Sequence, residues 1–162
     1  MASRTPTGPG SPATAAADAY LRLVELILDE PSRQALLAWP WAFPVGEADL
    51  LRVRHHVTLW YHDCCPSEGL ADAWRPGSDH AVEPVGIARG AKAEALVVRV
   101  SGRTHQHGRP DRLLHITLAF DAANGGKPVD SVDLLDKPHV LEPAPPIFLR
   151  GKVCERWAEL PK

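Results

Sequence analysis

Two four-residue strings in this 162-residue chain echo each other: His56-Val57-Thr58-Leu59 and His115-Ile116-Thr117-Leu118, 59 residues apart. In an extended strand the side chains at i and i+2 share a face. Each string therefore presents one imidazole beside one hydroxyl, while Val57 and Leu59, or Ile116 and Leu118, point to the opposite face and the core. Two such strands set side by side form a cleft with two imidazoles and two hydroxyls, a set suited to in-line displacement at a phosphodiester. One histidine takes the proton from an attacking water, the other protonates the departing sugar oxygen, and the threonine hydroxyls hold the non-bridging phosphate oxygens. The unperturbed imidazole pKa of ~6.5 makes both protonation states reachable near neutral pH. The expected rate profile is a bell between roughly pH 5 and 8. No metal and no cofactor is required. A lone His-x-Thr in a strand is usually structural; two copies, each followed by Leu and each in an alternating pattern, favour chemistry.

The elements that must position these strings follow from periodicity. Tyr20, Leu21, Leu23, Val24, Ile27 and Leu28 recur at helical spacing, with Asp18 as N-cap and Pro31 as terminator, and a second short helix is expected from Ser32 to about Trp39 before Pro40 and Pro44. From Leu51 to Tyr61 apolar and polar residues alternate, which predicts the strand carrying the first string. One or two helical turns are expected within Ser67–Trp74. Strands are expected over Val82–Ala88, Ala95–Val100, Leu113–Phe120 and Ile147–Glu155, and a short helix near Ser131–Leu135. Ser101–Asp111, polar and punctuated by Gly and Pro, reads as an exposed loop. The sum is an α+β domain, helices first and antiparallel strands after.

Composition bounds the rest. The length and the 44% apolar content fit one domain, residues 18–162, and the Ala/Pro/Thr/Gly/Ser-rich residues 1–17 predict a disordered tail. A net charge of −2 argues against long, sequence-blind contact with nucleic acid, so any such partner is gripped at one small site. No apolar run is long enough for a membrane span or a secretory signal. Cys64 and Cys65 are adjacent and Cys154 stands apart, a poor disulfide framework. The chain is expected to be cytoplasmic, with reduced thiols and no membrane partner.

The paired His-x-Thr-Leu strings resemble the signature of the two-histidine (2H) phosphoesterases. Gly126-Lys127-Pro128-Val129-Asp130-Ser131 with Leu134-Leu135, and Gly151-Lys152-Val153, are similar to segments of the C-terminal cyclic phosphodiesterase domain of fungal and plant tRNA ligases. The resemblance covers about His55 to Val153. It implies a bilobal 2H phosphoesterase-like fold, with antiparallel sheets, helices packed outside, and a central cleft to which each lobe donates one motif. It also implies opening of 2′,3′-cyclic phosphates at RNA ends to a 2′-phosphate and a 3′-hydroxyl, without metal. Carried over, His56 and His115 become the acid/base pair, with His115 as base and His56 as acid, and Thr58 and Thr117 the phosphate-binding hydroxyls. No Gly-x-x-x-x-Gly-Lys-Ser/Thr string is present, so the kinase activity of such ligases is not encoded, and the adenylating part is missing. The expectation is a free-standing monomeric phosphodiesterase for RNA repair, acting on an RNA 3′ end or a cyclic nucleotide beside separately encoded ligase or kinase partners. The alternatives are a non-catalytic module that binds RNA ends, or the same fold acting on ADP-ribose cyclic phosphate or 2′-5′ linkages.

Four further residues are candidates for substrate binding. Trp60, on the face of His56 and Thr58, is placed to stack on a base; covering the core edge is the competing reading. Arg54 on that face is placed to balance phosphate charge. Arg103 and His105, with His107, Arg109 and Arg112, make the loop before the second string basic and suited to guiding an RNA end. Lys127 and Lys152 are weaker candidates. The crowd of His55, His56, His62, Cys64 and Cys65, with His105 and His107, lacks the paired spacing of zinc sites. Cys64 has no base and orienter that would mark it as a nucleophile.

Overall fold

The computed structural model describes residues 19–39, 53–127, 129–135 and 141–159. The expected tail at 1–17, the breaks at Pro40 and Pro44, and the first two residues of the expected strand at 51–61 lie outside them. The elements are β1 (Ala19–Leu28), α1 (Glu30–Leu37), β2 (His56–Tyr61), α2 (Leu70–Ala73), β3 (Asp79–Arg89), β4 (Ala93–Val100), β5 (His115–Phe120), α3 (Asp130–Leu135), β6 (Glu142–Pro143) and β7 (Leu149–Glu159). All seven strands join one sheet in the order β2-β1-β7-β3-β4-β5, with β6 on the side of β3. Every pairing is antiparallel. The molecule is thus mixed α and β, with a mostly antiparallel sheet, as the periodicity predicts.

The largest departure is at the start. Residues 19–28 form a strand, where the spacing predicts a helix. The segment Tyr20–Leu28 is nearly all apolar, so it satisfies a period of two as well as one of 3.6: Val24, Leu26 and Leu28 fall on one face and are buried. Periodicity does not separate the two for a short apolar run. Pairing decides, because this segment lies between β2 and β7 and its backbone groups are taken up on both sides. Pro31 does not end a helix but opens one. Asp29 is the N-cap of α1, its carboxylate accepting from the Ser32 N–H at 3.0 Å, and Pro31 occupies the first turn, where a missing N–H costs nothing.

The sheet curls until its outer strands meet. Alternating directions along a six-strand path leave β2 and β5 antiparallel to each other across the gap. There the Arg54 N–H donates to the Thr117 carbonyl (2.8 Å), and the His107 N–H donates to the Leu59 carbonyl (2.9 Å). The result is a nearly closed barrel. Its core is filled by Leu26, Leu36, Val57, Leu59, Trp60, Trp74, Leu96, Val98, Ile116 and Leu118, among others. Gly151 marks the tightest crossing: a Cβ built there would lie 2.7 Å from the Ile27 carbonyl oxygen, so β7 can pass β1 only without a side chain. Pro84 interrupts β3 where that strand passes from β7 to β6, beside an irregularity at Pro84/Gly86, a place where the ladder needs no donor. No helix among the described residues is long and apolar enough to cross a membrane.

Candidate active site at the β2/β5 seam

The bond between Arg54 and Thr117 ties the chain entering β2 to β5. It lies two residues from each histidine, just before β2 on one side and within β5 on the other. The two rings are close enough for the charge of His115 to oppose protonation of His56. Both strings keep their aliphatic residues inward: Val57, Leu59, Ile116 and Leu118 are buried in the core. His56, Thr58, His115 and Thr117 occupy the other face, as the two-residue period predicts.

The surroundings of the two imidazoles differ. His56 is half-buried, and its Nδ1 lies 2.8 Å from Nδ1 of His55, whose ring meets it edge-on. One of the two nitrogens must donate and the other accept, so the pair does not carry two protonated Nδ1 atoms. Burial, reinforced by the neighbouring charge of His55, pushes the His56 pKa down to about 4, with Glu25 opposing the shift. The His55 pKa is also lowered, chiefly by burial. His56 is therefore neutral at pH 7.

His115 lies deeper, 8% exposed, beside α3. Its Nδ1 is 3.0 Å from the Leu113 carbonyl, which only accepts, so Nδ1 carries a proton. Its Nε2 faces the Ser131 hydroxyl at 3.3 Å, and that hydroxyl is 2.7 Å from the Thr117 hydroxyl. With a neutral ring, the protons run in one sense: Thr117 donates to Ser131, and Ser131 donates to Nε2. Ser131 is fully buried at the start of α3, where the Asp130 carboxylate accepts from the Lys127 N–H at 2.7 Å and ties down the entry turn. Thr117 is thus held to its own histidine through a serine.

Two substrate-binding expectations are overturned. Trp60 is 2% exposed, and its indole N–H donates to the Cys65 carbonyl at 3.1 Å. Strict alternation would set it beside Thr58, but the β1/β2 register slips there. Val24 faces Trp60 while Glu25 faces Thr58, so Leu59 is an extra residue and both Leu59 and Trp60 turn inward. Tyr61 inherits the outer face. Arg54, also expected on that face, is 5% exposed; its Nε donates to the Leu118 carbonyl at 2.9 Å, and its φ of 62° turns the chain just before β2. Burial pushes its pKa down to about 10, opposed by the carboxylate of Glu94. Arg54 belongs to the closure of the barrel.

The basic loop divides. His105 bridges to Leu113, two residues before His115, and so is exposed on the His115 face. Arg103 bridges to Val100, three residues past Val97, the partner of His115, and its guanidinium stacks 5.4 Å from the Trp74 ring centroid. It serves that corner, roughly 10 Å from the seam along the strand.

Four residues that sequence reasoning did not select complete the site: Ser131, His55, Glu25 and Arg156. Glu25 lies directly across from Thr58, almost buried, and accepts from Arg156 Nε at 2.9 Å. The Arg156 side chain is 57% exposed and its charge is felt at both His55 and His56. It supplies on this face the cation expected of Arg54. Reading residues 19–28 as a strand would have exposed Glu25, since a carboxylate in an otherwise apolar strand asks for a partner. Among the described residues no three His, Cys, Asp or Glu side chains are grouped to hold a metal ion. Comparison with protein-family models, curated proteins and solved structures finds no match for this chain.

Proposed function

We propose that the seam is the active site of a metal-independent 2′,3′-cyclic phosphodiesterase of the 2H type, acting on an RNA 3′ end or a cyclic nucleotide. In this reading the barrel is two lobes, β2-β1-β7 and β3-β4-β5, joined through β7 and β3, and each donates one His-x-Thr string where β2 meets β5. The observation that supports the reading is the nearness of the two imidazoles at the seam closed by the Arg54–Thr117 bond, where the charge of His115 opposes protonation of His56. A water oxygen attacks phosphorus, the bond to the 3′ oxygen breaks, one imidazole takes the water proton and the other protonates the 3′ oxygen. The products are a 2′-phosphate and a 3′-hydroxyl. Thr58 donates to one non-bridging oxygen, Thr117 donates to the other once its hydroxyl proton turns away from Ser131, and Arg156 balances their charge.

The assignment of base and acid is the reverse of the one the family resemblance implies. His56, held neutral at pH 7, is ready to accept a proton. At His115 the Leu113 carbonyl accepts from Nδ1 whether the ring is neutral or charged, which suits the donor. The acid limb of kcat/KM is then expected near pH 4 to 5, set by a His56 pKa of about 4, below the limb of an ordinary imidazole at ~6.5. A pH profile with its acid limb at 6.5 would restore the opposite assignment.

The test is incubation of the protein with 2′,3′-cyclic nucleotides and cyclic-ended oligoribonucleotides in EDTA, followed by phosphorus NMR. Turnover to the 2′-phosphate, lost in both His56→Ala and His115→Ala, is the expected result. Binding without turnover would replace this reading with that of an RNA-end-binding module, which the burial of His115 and the engagement of Thr117 by Ser131 favour.

A further inference from the structure

A pocket of about 420 Å³ opens at the far end of β2 from the histidines, lined by Tyr20, Arg22, Tyr61, His62, Arg109 and Arg112, with Asp63 and Cys64 at its margin. That volume is within the range of small-molecule sites. Three guanidinium groups converge on it. Arg109 is held by two bonds to the Asp111 carboxylate, at 2.9 and 2.8 Å. Among the described residues neither Arg22 nor Arg112 has an ion pair, and Nε of Arg112 is buried without a hydrogen-bond acceptor. A buried guanidinium nitrogen without an acceptor is costly, and an anion would satisfy it. The aromatic component is equally built: Tyr20 packs on His62 with ring centroids 4.7 Å apart, Trp60 backs His62 edge-on at 6.2 Å, and Tyr61 is exposed at 38%.

We propose that this pocket binds a nucleotide unit, its phosphate on Arg22 and Arg112 and its base against the Tyr61 and His62 rings. Arginine forks suit phosphate oxygens, and flat rings accept any base. Asp63 and Asp111 offset part of the positive charge, so the site takes a single phosphate rather than a polyphosphate. The same bulge that buries Trp60 turns Tyr61 onto the face of His56 and Thr58. From His56 to Tyr61 is five residues, roughly 17 Å along a strand. A strand of RNA with its 3′ end at the seam would lay a nucleotide near its end in this pocket; that placement rests on the proposed phosphodiesterase reading, whereas nucleotide binding at the pocket does not.

The source of the nucleotide, free or within a strand, is separated by calorimetric titration with adenosine 5′-monophosphate, inorganic phosphate, and a single-stranded oligoribonucleotide ending in a 3′-hydroxyl. Binding of the mononucleotide, at least tenfold tighter than phosphate alone and weakened tenfold or more by Arg22→Gln and by Tyr61→Ala, supports a site for a free nucleotide. Binding of the oligonucleotide alone, with the same sensitivity, supports a site for a strand. Arg22 is exposed, so its substitution leaves folding intact even where Arg112→Gln does not. Binding of neither ligand, or binding indifferent to Arg22→Gln and Tyr61→Ala, overturns the proposal. All titrations are repeated in His56→Ala: nucleotide affinity retained there, with no turnover of cyclic phosphate by the unmodified protein, sinks the phosphodiesterase reading and leaves the pocket standing.

Discussion

The two His-x-Thr-Leu strings are nearly identical in sequence and unlike in environment. On β2 the imidazole is half-buried, shares a contact with a second imidazole, and is held neutral. On β5 it lies beside a helix, with one nitrogen on a carbonyl and the other on a serine that also engages its threonine. A repeated string therefore sets which atoms are offered, while residues outside the string set their protonation and freedom. His55 and Ser131 are the two that make the copies different.

Breaking either copy should have the largest effect. His56→Asn and His115→Asn are each expected to lower kcat for cyclic phosphate opening by about 10²–10⁴-fold, measured by single-turnover assay. If only one does so, the copies are not an acid/base pair. Stability distinguishes them next. His56 has its pKa lowered in the folded state from an ordinary 6.5 to about 4. Over that interval the unfolded chain binds more protons, so stability rises with pH through it; the contribution is full above pH 6.5 and is lost as pH falls toward 4. The loss should reach up to about 3 kcal/mol, read as urea unfolding at pH 7 and pH 4.5. His56→Gln should flatten that difference; an unchanged pH dependence would place the titrating group elsewhere.

Smaller effects sharpen the contrast. Gly151→Ala sets a methyl group against the Ile27 carbonyl, in the β2-β1-β7 part of the sheet, and should cost about 1–3 kcal/mol in thermal or urea unfolding. Ser131→Ala removes the partner of both His115 and Thr117 and should lower kcat by about tenfold with little change at His56, whose pKa by NMR titration is the control. Last, His55→Phe removes the charge that opposes protonation of His56. It should raise the His56 pKa by less than one unit, since burial is the larger cause; a drop instead would mean that the His55 contact stabilises the charged ring.

The extended form of the two strings, the inward placement of Val57, Leu59, Ile116 and Leu118, and the turns around 67–74 and 131–135 were legible because each rests on a local period that holds over those few residues. Where two periods fitted equally, as at Tyr20–Leu28, neighbouring strands made the choice, and with it the exposure of Glu25 as the partner of Arg156 was hidden. Trp60 and Arg54 were misplaced for a related reason. A one-residue slip between β1 and β2, and a left-handed turn at Arg54, both reverse a face without leaving a mark in the hydrophobic pattern.

From sequence alone came the chemical inventory: two imidazoles, two hydroxyls, the strands beneath them, and the side of each strand turned toward the core. Those follow from backbone geometry over a few residues. That the two strings come close at one seam, that His55 and Ser131 stand behind them, and that Arg156 rather than Arg54 offers a charge were decided by tertiary structure, because each depends on contact between segments tens of residues apart, brought together by the whole sheet closing on itself.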